Sequence, residues 1–357
     1  MRRILTLAVA SAIATSVAGA VAMPSAPAQE VATHGYTVQL IDSGADEQVQ
    51  AEGGDLVLDL AGAVDPLQGE ATCRLARLEF ATGTVIPLPA AASPEACAGD
   101  LAFAPDGTLY GLLLGIVQPE GTPIAELVRF DVTTGAATVV GQIGDFSALG
   151  GQSIVPFGGI TFDGAGQLLV MLIAFDEEGF DPACREPGVE VASCLYRIDD
   201  PNVPGAPTFL GRVATASLDS PGVLGSTLAA TCDTVYSTPI TTEPEGGDAI
   251  VLVESLLATV DPSDGTRTDI GQFGAERASW GADLDRAGAF PGLVLDGTET
   301  DLRLFVASLD PSGGPNVETL GAEIGFEEFG VQGLAVEPLD CTPPEPAPIV
   351  LEPTFTG

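Results

Sequence analysis

The sequence contains no lysine, one histidine (His34) and one tryptophan (Trp280). Those gaps remove several chemistries. Without lysine there is no Schiff base and no Ser-Lys dyad. A Ser-His-Asp arrangement would have to recruit His34, close to the start of the chain. Neither a G-x-S-x-G elbow nor a phosphate-binding P-loop occurs. No cysteine pair has C-x-x-C spacing, which argues against a zinc site of the Cys/His kind. Past the first thirty residues no apolar run approaches the roughly 20 residues that span a bilayer, so no membrane span is expected.

Positive charge is scarce too. Twelve arginines face 50 Asp and Glu in 357 residues, a formal net charge of −38. Such a surface repels phosphate backbones and anionic lipid, which excludes nucleic acid as a partner. The plain reading is solubility, as in a salty habitat. Cation binding is the functional alternative.

What is present begins with "MRRILTLAVASAIATSVAGAVAMPSAPAQE". Two arginines, an apolar stretch of small residues and an Ala-Pro-Ala site read as an export signal over residues 1–28. The expected compartment is therefore secreted, extracellular or cell surface. The six cysteines, Cys73, Cys97, Cys184, Cys194, Cys232 and Cys341, suit disulfides there. The remaining divisions are an N-terminal segment (29–54), a repeat region (55–340) and a Pro-rich tail (341–357).

The repeat is the main signal. "RFDVTTGAATVVGQIG" (Arg129–Gly144), "YRIDDPNVPGAPTFLGRV" (Tyr196–Val213), "ATVDPSDGTRTDIGQFG" (Ala258–Gly274) and "ASLDPSGGPNVETLGAEIG" (Ala307–Gly325) each give strand, Asp/Gly turn, strand. "RLEFATGTVIPLPA" (Arg77–Ala90) is a weaker copy. Asp131, Asp199, Asp261 and Asp310 are placed to bond the turn backbone; Gly135, Gly205, Gly265 and Gly314 are placed to take positive φ. Each hairpin follows an opening word: "GDLAFAPDG", "GGITFDGAG", "STLAATCDT", "GADLDRAG" and, last, "GLAVEPLD". The intervals from Leu101 to Ile160, Leu228, Leu284 and Leu334 run between about 50 and 70 residues. Four short antiparallel strands, a to d, recurring at that period describe a β-propeller blade.

The last opening word lacks strands b, c and d. The N-terminal region has "DLVLDLAG" (Asp55–Gly62), "CRLARLEF" (Cys73–Phe80) and "TVIPLPA" (Thr84–Ala90), which read as b, c and d without a. Joining the two ends completes a blade and removes the open sheet edges. The expectation is an all-β, five-bladed propeller closed by its terminal strands. Six blades is the rival if "YTVQLID" (Tyr36–Asp42) serves elsewhere. Strand-face arguments pair Cys73 with Cys97, Cys184 with Cys194 and Cys232 with Cys341, one of 15 connectivities.

Carboxylate chemistry stays open. Paired Asp or Glu can hydrolyse glycosides without His or Lys. Asp163, Asp233, Asp283, Asp285 and Glu337, on or after inner strands, are the funnel candidates, with Trp280 as a ligand-stacking surface. Asp176, Glu177, Glu178 and Asp181 crowd one loop and could take calcium, without the EF-hand register. No other cofactor is indicated.

The c–turn–d words resemble the repeats of secreted bacterial β-propellers, and more distantly those of NHL and gluconolactonase-like propellers, over roughly Asp55 to Asp340. That resemblance implies architecture. Gluconolactonase-like enzymes hold a funnel metal through Glu, Asn and Asp; that set is not in register here, so no catalytic residue carries over. The leading expectation is a monomeric extracellular binding module for a protein, glycan or small molecule, with the b–c insertion Phe175–Cys194 as its loop. The alternative is a hydrolase or lactonase-like enzyme using funnel carboxylates, with calcium as its candidate cofactor.

Overall fold

The computed structural model describes residues 32–42, 51–52, 55–59, 72–117, 122–143, 154–175, 184, 189, 191–216, 221–225, 227–246, 249–274, 277–284, 289–298, 301–314, 316–325, 331–337 and 341. The expected export signal and the Pro-rich stretch beyond Cys341 lie outside them, as do Asp176, Glu177, Glu178, Asp181 and Asp285.

Five antiparallel blades form a β-propeller. Blade 2 is Asp100–Phe103, Leu109–Val117, Thr122–Phe130 and Ala137–Gln142. Blade 3 is Ile154–Phe162, Leu168–Phe175, Val191–Ile198 and Thr208–Ala216. Blade 5 is Arg277–Ala282, Phe290–Thr298, Asp301–Leu309 and Glu318–Ile324. Blade 4 is less regular. Leu228–Ala230 pairs Val235–Ser237, the chain is offset at Thr238-Pro239, and Ile240–Gly246 continues along Ala249–Val260 with Arg267–Gln272 outermost. Among the described residues the only helical element is the 3₁₀ turn Pro94–Ala96.

Blade 1 closes the ring. Its order is Val331–Ala335, His34–Asp42, Thr72–Glu79, Thr84–Pro87, so the last strand pairs with the first. Closure by the terminal strands is as the sequence implies, but the partner strand differs. Strand b is His34–Asp42, not Asp55–Gly62. Val38 is fully buried, and the Thr37 hydroxyl donates to the carbonyls of Gln332 and Gly333 on the closing strand. Asp55–Asp59 instead pairs Ala249–Leu252 of blade 4. Because Tyr36–Asp42 belongs to blade 1, the six-bladed alternative falls.

The core sits between blades. Five apolar clusters each join two neighbouring blades. A blade is thus buried on both faces, which explains unbroken runs such as "QLLVMLIAF". There Leu168, Val170 and Leu172 enter the cluster shared with blade 2, while Leu169 and Met171 enter the cluster shared with blade 4.

The c–d turns make a second set of joints. At three junctions the turn of one blade rests on a glycine in the d strand before it. Gly141 faces Pro204, Gly211 faces Asp264 and Gly265, and Gly271 faces Gly314. The blade 2 turn meets blade 1 where the Ala90 N–H donates to Thr134 O, and the blade 1 turn meets blade 5 where Gly83 abuts Glu323. The aspartates cap these turns as the repeat predicts, with one exception. In blade 3 the cap is Asp200, accepting from the Asn202 N–H, while Asp199 pairs with Arg197. Gly205 lacks positive φ because that turn is longer; Gly135 and Gly265 have it, at +82° and +74°. In blade 5 the expected Gly314 has it as well, at +157°, after Gly313 at +87°.

All six cysteines are bonded, in the pairs Cys73–Cys97, Cys184–Cys194 and Cys232–Cys341. No helix among the described residues is long and apolar enough to cross a membrane.

Candidate functional site

The inner strands converge so closely that side chains at the axis are small. A Cβ on Gly159 would lie 2.5 Å from the Leu228 nitrogen; one on Gly281 would lie 3.0 Å from the Gly333 carbonyl carbon. A Cβ on Gly333, at φ +63°, would lie 2.9 Å from the Asp100 Cα.

Asp100 is the exception among these small residues. It opens the inner strand of blade 2 and is fully buried. Its Oδ2 accepts the N–H of Ile160, on the inner strand of blade 3, at 3.0 Å. The amides of Leu101 and Leu228 also face the carboxyl, while Oδ1 has no hydrogen-bond partner among the described residues. Burial pushes its pKa well above the ordinary carboxylate range, and the charge of Asp283 adds to the rise; the backbone amides pull the other way. Asp100 was not among the sequence candidates. The signal was there: the residues before Leu101, Ile160, Leu228 and Leu334 are Asp, Gly, Thr and Gly.

Where the inner strands end, the a–b turns surround a depression of about 30 Å³, room for about two waters. Asp163, Asp283 and Glu337 line it, from blades 3, 5 and 1, beside Ala102, Phe162 and Cys341. Two of these carboxylates serve the backbone. Asp163 Oδ1 accepts from the N–H groups of Ala165 (2.9 Å) and Gln167 (2.8 Å), shaping its own turn. Asp283 Oδ2 accepts the Val336 N–H at 2.8 Å, and Oδ1 that of Leu284 at 2.8 Å. Glu337 is exposed. Asp233 is exposed in the turn Thr231–Thr234, whose Thr231 hydroxyl accepts from the Asp233 and Thr234 amides; it does not line the depression.

The inner strand of blade 5 begins before the opening word "GADLDRAG". It is Arg277–Ala282, because Arg277, Ala278 and Ser279 pair with Asp296, Leu295 and Val294. Trp280 therefore lies within the strand rather than ahead of it, and Leu284 lies past its end. Asp285 and the acidic loop Asp176–Asp181 fall outside the described residues. Among those described, no three His, Cys, Asp or Glu side chains gather as a metal site.

Strand direction sorts the connections. In an up-and-down blade the a–b and c–d turns share one end, and the b–c and d–a connections share the other. The insertion between Phe175 and Val191 belongs to that second end. It is fastened at Cys184, through the disulfide to Cys194 on strand c and through Arg212 on strand d, whose Nε donates to the Cys184 carbonyl at 3.0 Å.

No protein-family model matches the chain, and no curated protein matches it. Solved structures do. One is a GH43_1 enzyme from Xanthomonas citri, at 10% identity, covering 83% of this chain and 94% of that one, with a TM-score of 0.41. Another is the α-L-arabinofuranosidase Arb93A from Fusarium graminearum, at 11% identity, 63% and 68% coverage and a TM-score of 0.39. A third is the Hadza microbial sialidase Hz136, at 12% identity, 70% and 54% coverage and a TM-score of 0.42. The chain spans about half the length of that sialidase. At these levels of identity and superposition, neither activity nor site passes from those proteins to this chain.

Proposed function

We propose that the protein is an extracellular binding module that engages a protein, glycan or small molecule through the b–c end of the wheel. The supporting observation is the blade 3 insertion, held to two strands by Cys184–Cys194 and by Arg212. A long connection tied down at its base presents residues at reduced entropic cost. Three disulfides agree with the extracellular setting.

The second reading is a hydrolase or lactonase-like enzyme at the other end. Its support is that Asp163, Asp283 and Glu337 meet around one depression. Against it, Asp163 and Asp283 are occupied by backbone N–H groups, and Asp100 is sealed from any substrate.

A thermal-shift and binding screen of glycans, lactones and calcium on the mature chain separates the two. Replacing residues 177–182 by Gly and Ser should abolish a ligand response while leaving the melting temperature within a few degrees. Asp283→Asn should leave that response intact. Turnover of a glycoside or lactone, lost in Asp283→Asn and kept in the loop variant, would replace the binding reading with the enzymatic one.

A further inference from the structure

Two of the three disulfides are sealed in the apolar clusters between blades. Cys73, Cys184 and Cys194 have no exposed surface, and Cys97 is 8% exposed. The third differs. Cys232 is exposed and Cys341 half-buried. That bond ties the a–b turn of blade 4 to the chain beyond the closing strand, 109 residues away in sequence. Cys341 also forms part of the wall of the axial depression, next to Glu337 and Val336. The same stretch has one other described fastener, the Val336 N–H donated to Asp283 Oδ2.

Thiol–disulfide exchange needs an attacking thiolate to reach a sulfur, so exposure decides which bond reacts. We propose that Cys232–Cys341 is a redox-labile latch at the mouth of the depression, opened by a dithiol reductant while the other two disulfides stay closed. The reductant thiolate attacks the Cys232 sulfur, the S–S bond breaks, and Cys341 leaves as a thiolate that takes up a proton. The second thiol of the reductant then displaces Cys232. Two electrons and two protons pass to the protein, giving two cysteine thiols and an oxidised reductant.

The ring survives this step because its closure does not depend on the bond. Tyr36 pairs with Ala335, Val38 with Gln332 and Gln39 with Val331. Thr37 bonds the closing strand on one side, and Gln332 Nε2 donates to the Ala98 carbonyl of the blade 1–2 connection on the other. Opening the latch therefore frees the wall after Ala335 and leaves the wheel assembled. This inference is independent of the binding reading, since it concerns the opposite end of the molecule.

The test is graded dithiothreitol on the native full chain without denaturant, quenched with iodoacetamide and mapped by peptide mass spectrometry. Cys232 and Cys341 should be labelled at a reductant concentration at least tenfold below that needed for the other four. Amide exchange at Val336 should then accelerate while Val331–Ala335 keeps its protection. Labelling of all six together, or of Cys184 and Cys194 first, would overturn the proposal. So would selective reduction that leaves Val336 exchange unchanged. Cys341→Ser should show the faster exchange without reductant; if that variant does not fold, the titration of the native chain decides alone.

Discussion

The Asp100 carboxyl is fully buried. It is sealed at the axis and accepts an amide of the neighbouring inner strand. Its folded-state pKa is raised by burial. Its contribution to stability is therefore complete below the unfolded value, near 3.9, and is lost as pH rises through the folded value. Asp100→Asn keeps an acceptor for Ile160 and removes the buried charge, so it should raise the melting temperature at pH 8 and do so far less at pH 4. Asp100→Ala strands the Ile160 amide and should cost about 1–3 kcal/mol, read by urea unfolding at pH 6. The turn aspartates respond in the opposite sense. Hydrogen bonds from Thr133 and Thr134 lower the pKa of Asp131; those from Ser263 and Ser312 lower Asp261 and Asp310. Their contribution is present above the unfolded value and disappears as pH falls through the folded one. These turn residues were legible because Asp-x-x-x-Gly is local chemistry. Asp100 was overlooked because its environment comes from strands about 60 and 130 residues away, and no local pattern marks it as buried.

Among the elements, the repeated unit is a hairpin whose turn docks on the blade before it. That joint explains why a glycine recurs in strand d of blades 2 to 4. At Gly211 an added Cβ would collide with the Asp264 carbonyl, which is backbone and cannot swing aside. Gly211→Ala should therefore destabilise by about 1–3 kcal/mol or more. Gly205, in the turn of the same hairpin, has nothing within 4 Å of that position and no positive φ. Gly205→Ala should be neutral or stabilise by up to about 1 kcal/mol through the unfolded chain. Equal effects at the two sites, measured by thermal unfolding, would contradict the docking role. The hairpins were readable from turn chemistry; the assignment of strand b in blade 1 was not. "DLVLDLAG" and "YTVQLID" are equally good strands by alternation. What selects the second is the buried Thr37, bonded to a segment 295 residues away, and no local pattern reports that.

For the whole molecule the dominant fact is charge. A net charge of −38 acts on a fold whose arginines are largely engaged close by. Arg77 pairs with Glu79, Arg197 with Asp199 and Arg267 with Asp269, each two residues apart in sequence. Such pairs neutralise locally and leave most of the acidic surface to repel itself. Folding brings those carboxylates closer than they are in the unfolded chain, so screening should favour the wheel. Raising NaCl from about 0.01 M to 1 M shortens the Debye length from about 30 Å to about 3 Å. The melting temperature should climb steadily over that range. Calcium chloride at matched ionic strength separates screening from site binding. If the Asp176–Asp181 loop holds calcium, millimolar CaCl₂ should raise the melting temperature beyond the matched NaCl sample, and the excess should vanish in Asp176→Asn/Asp181→Asn. If the two salts superimpose, the acidic surface acts as a diffuse field and that loop is no calcium site. A melting temperature that falls with NaCl would mean that the described ion pairs outweigh the repulsion, because screening weakens attraction and repulsion alike.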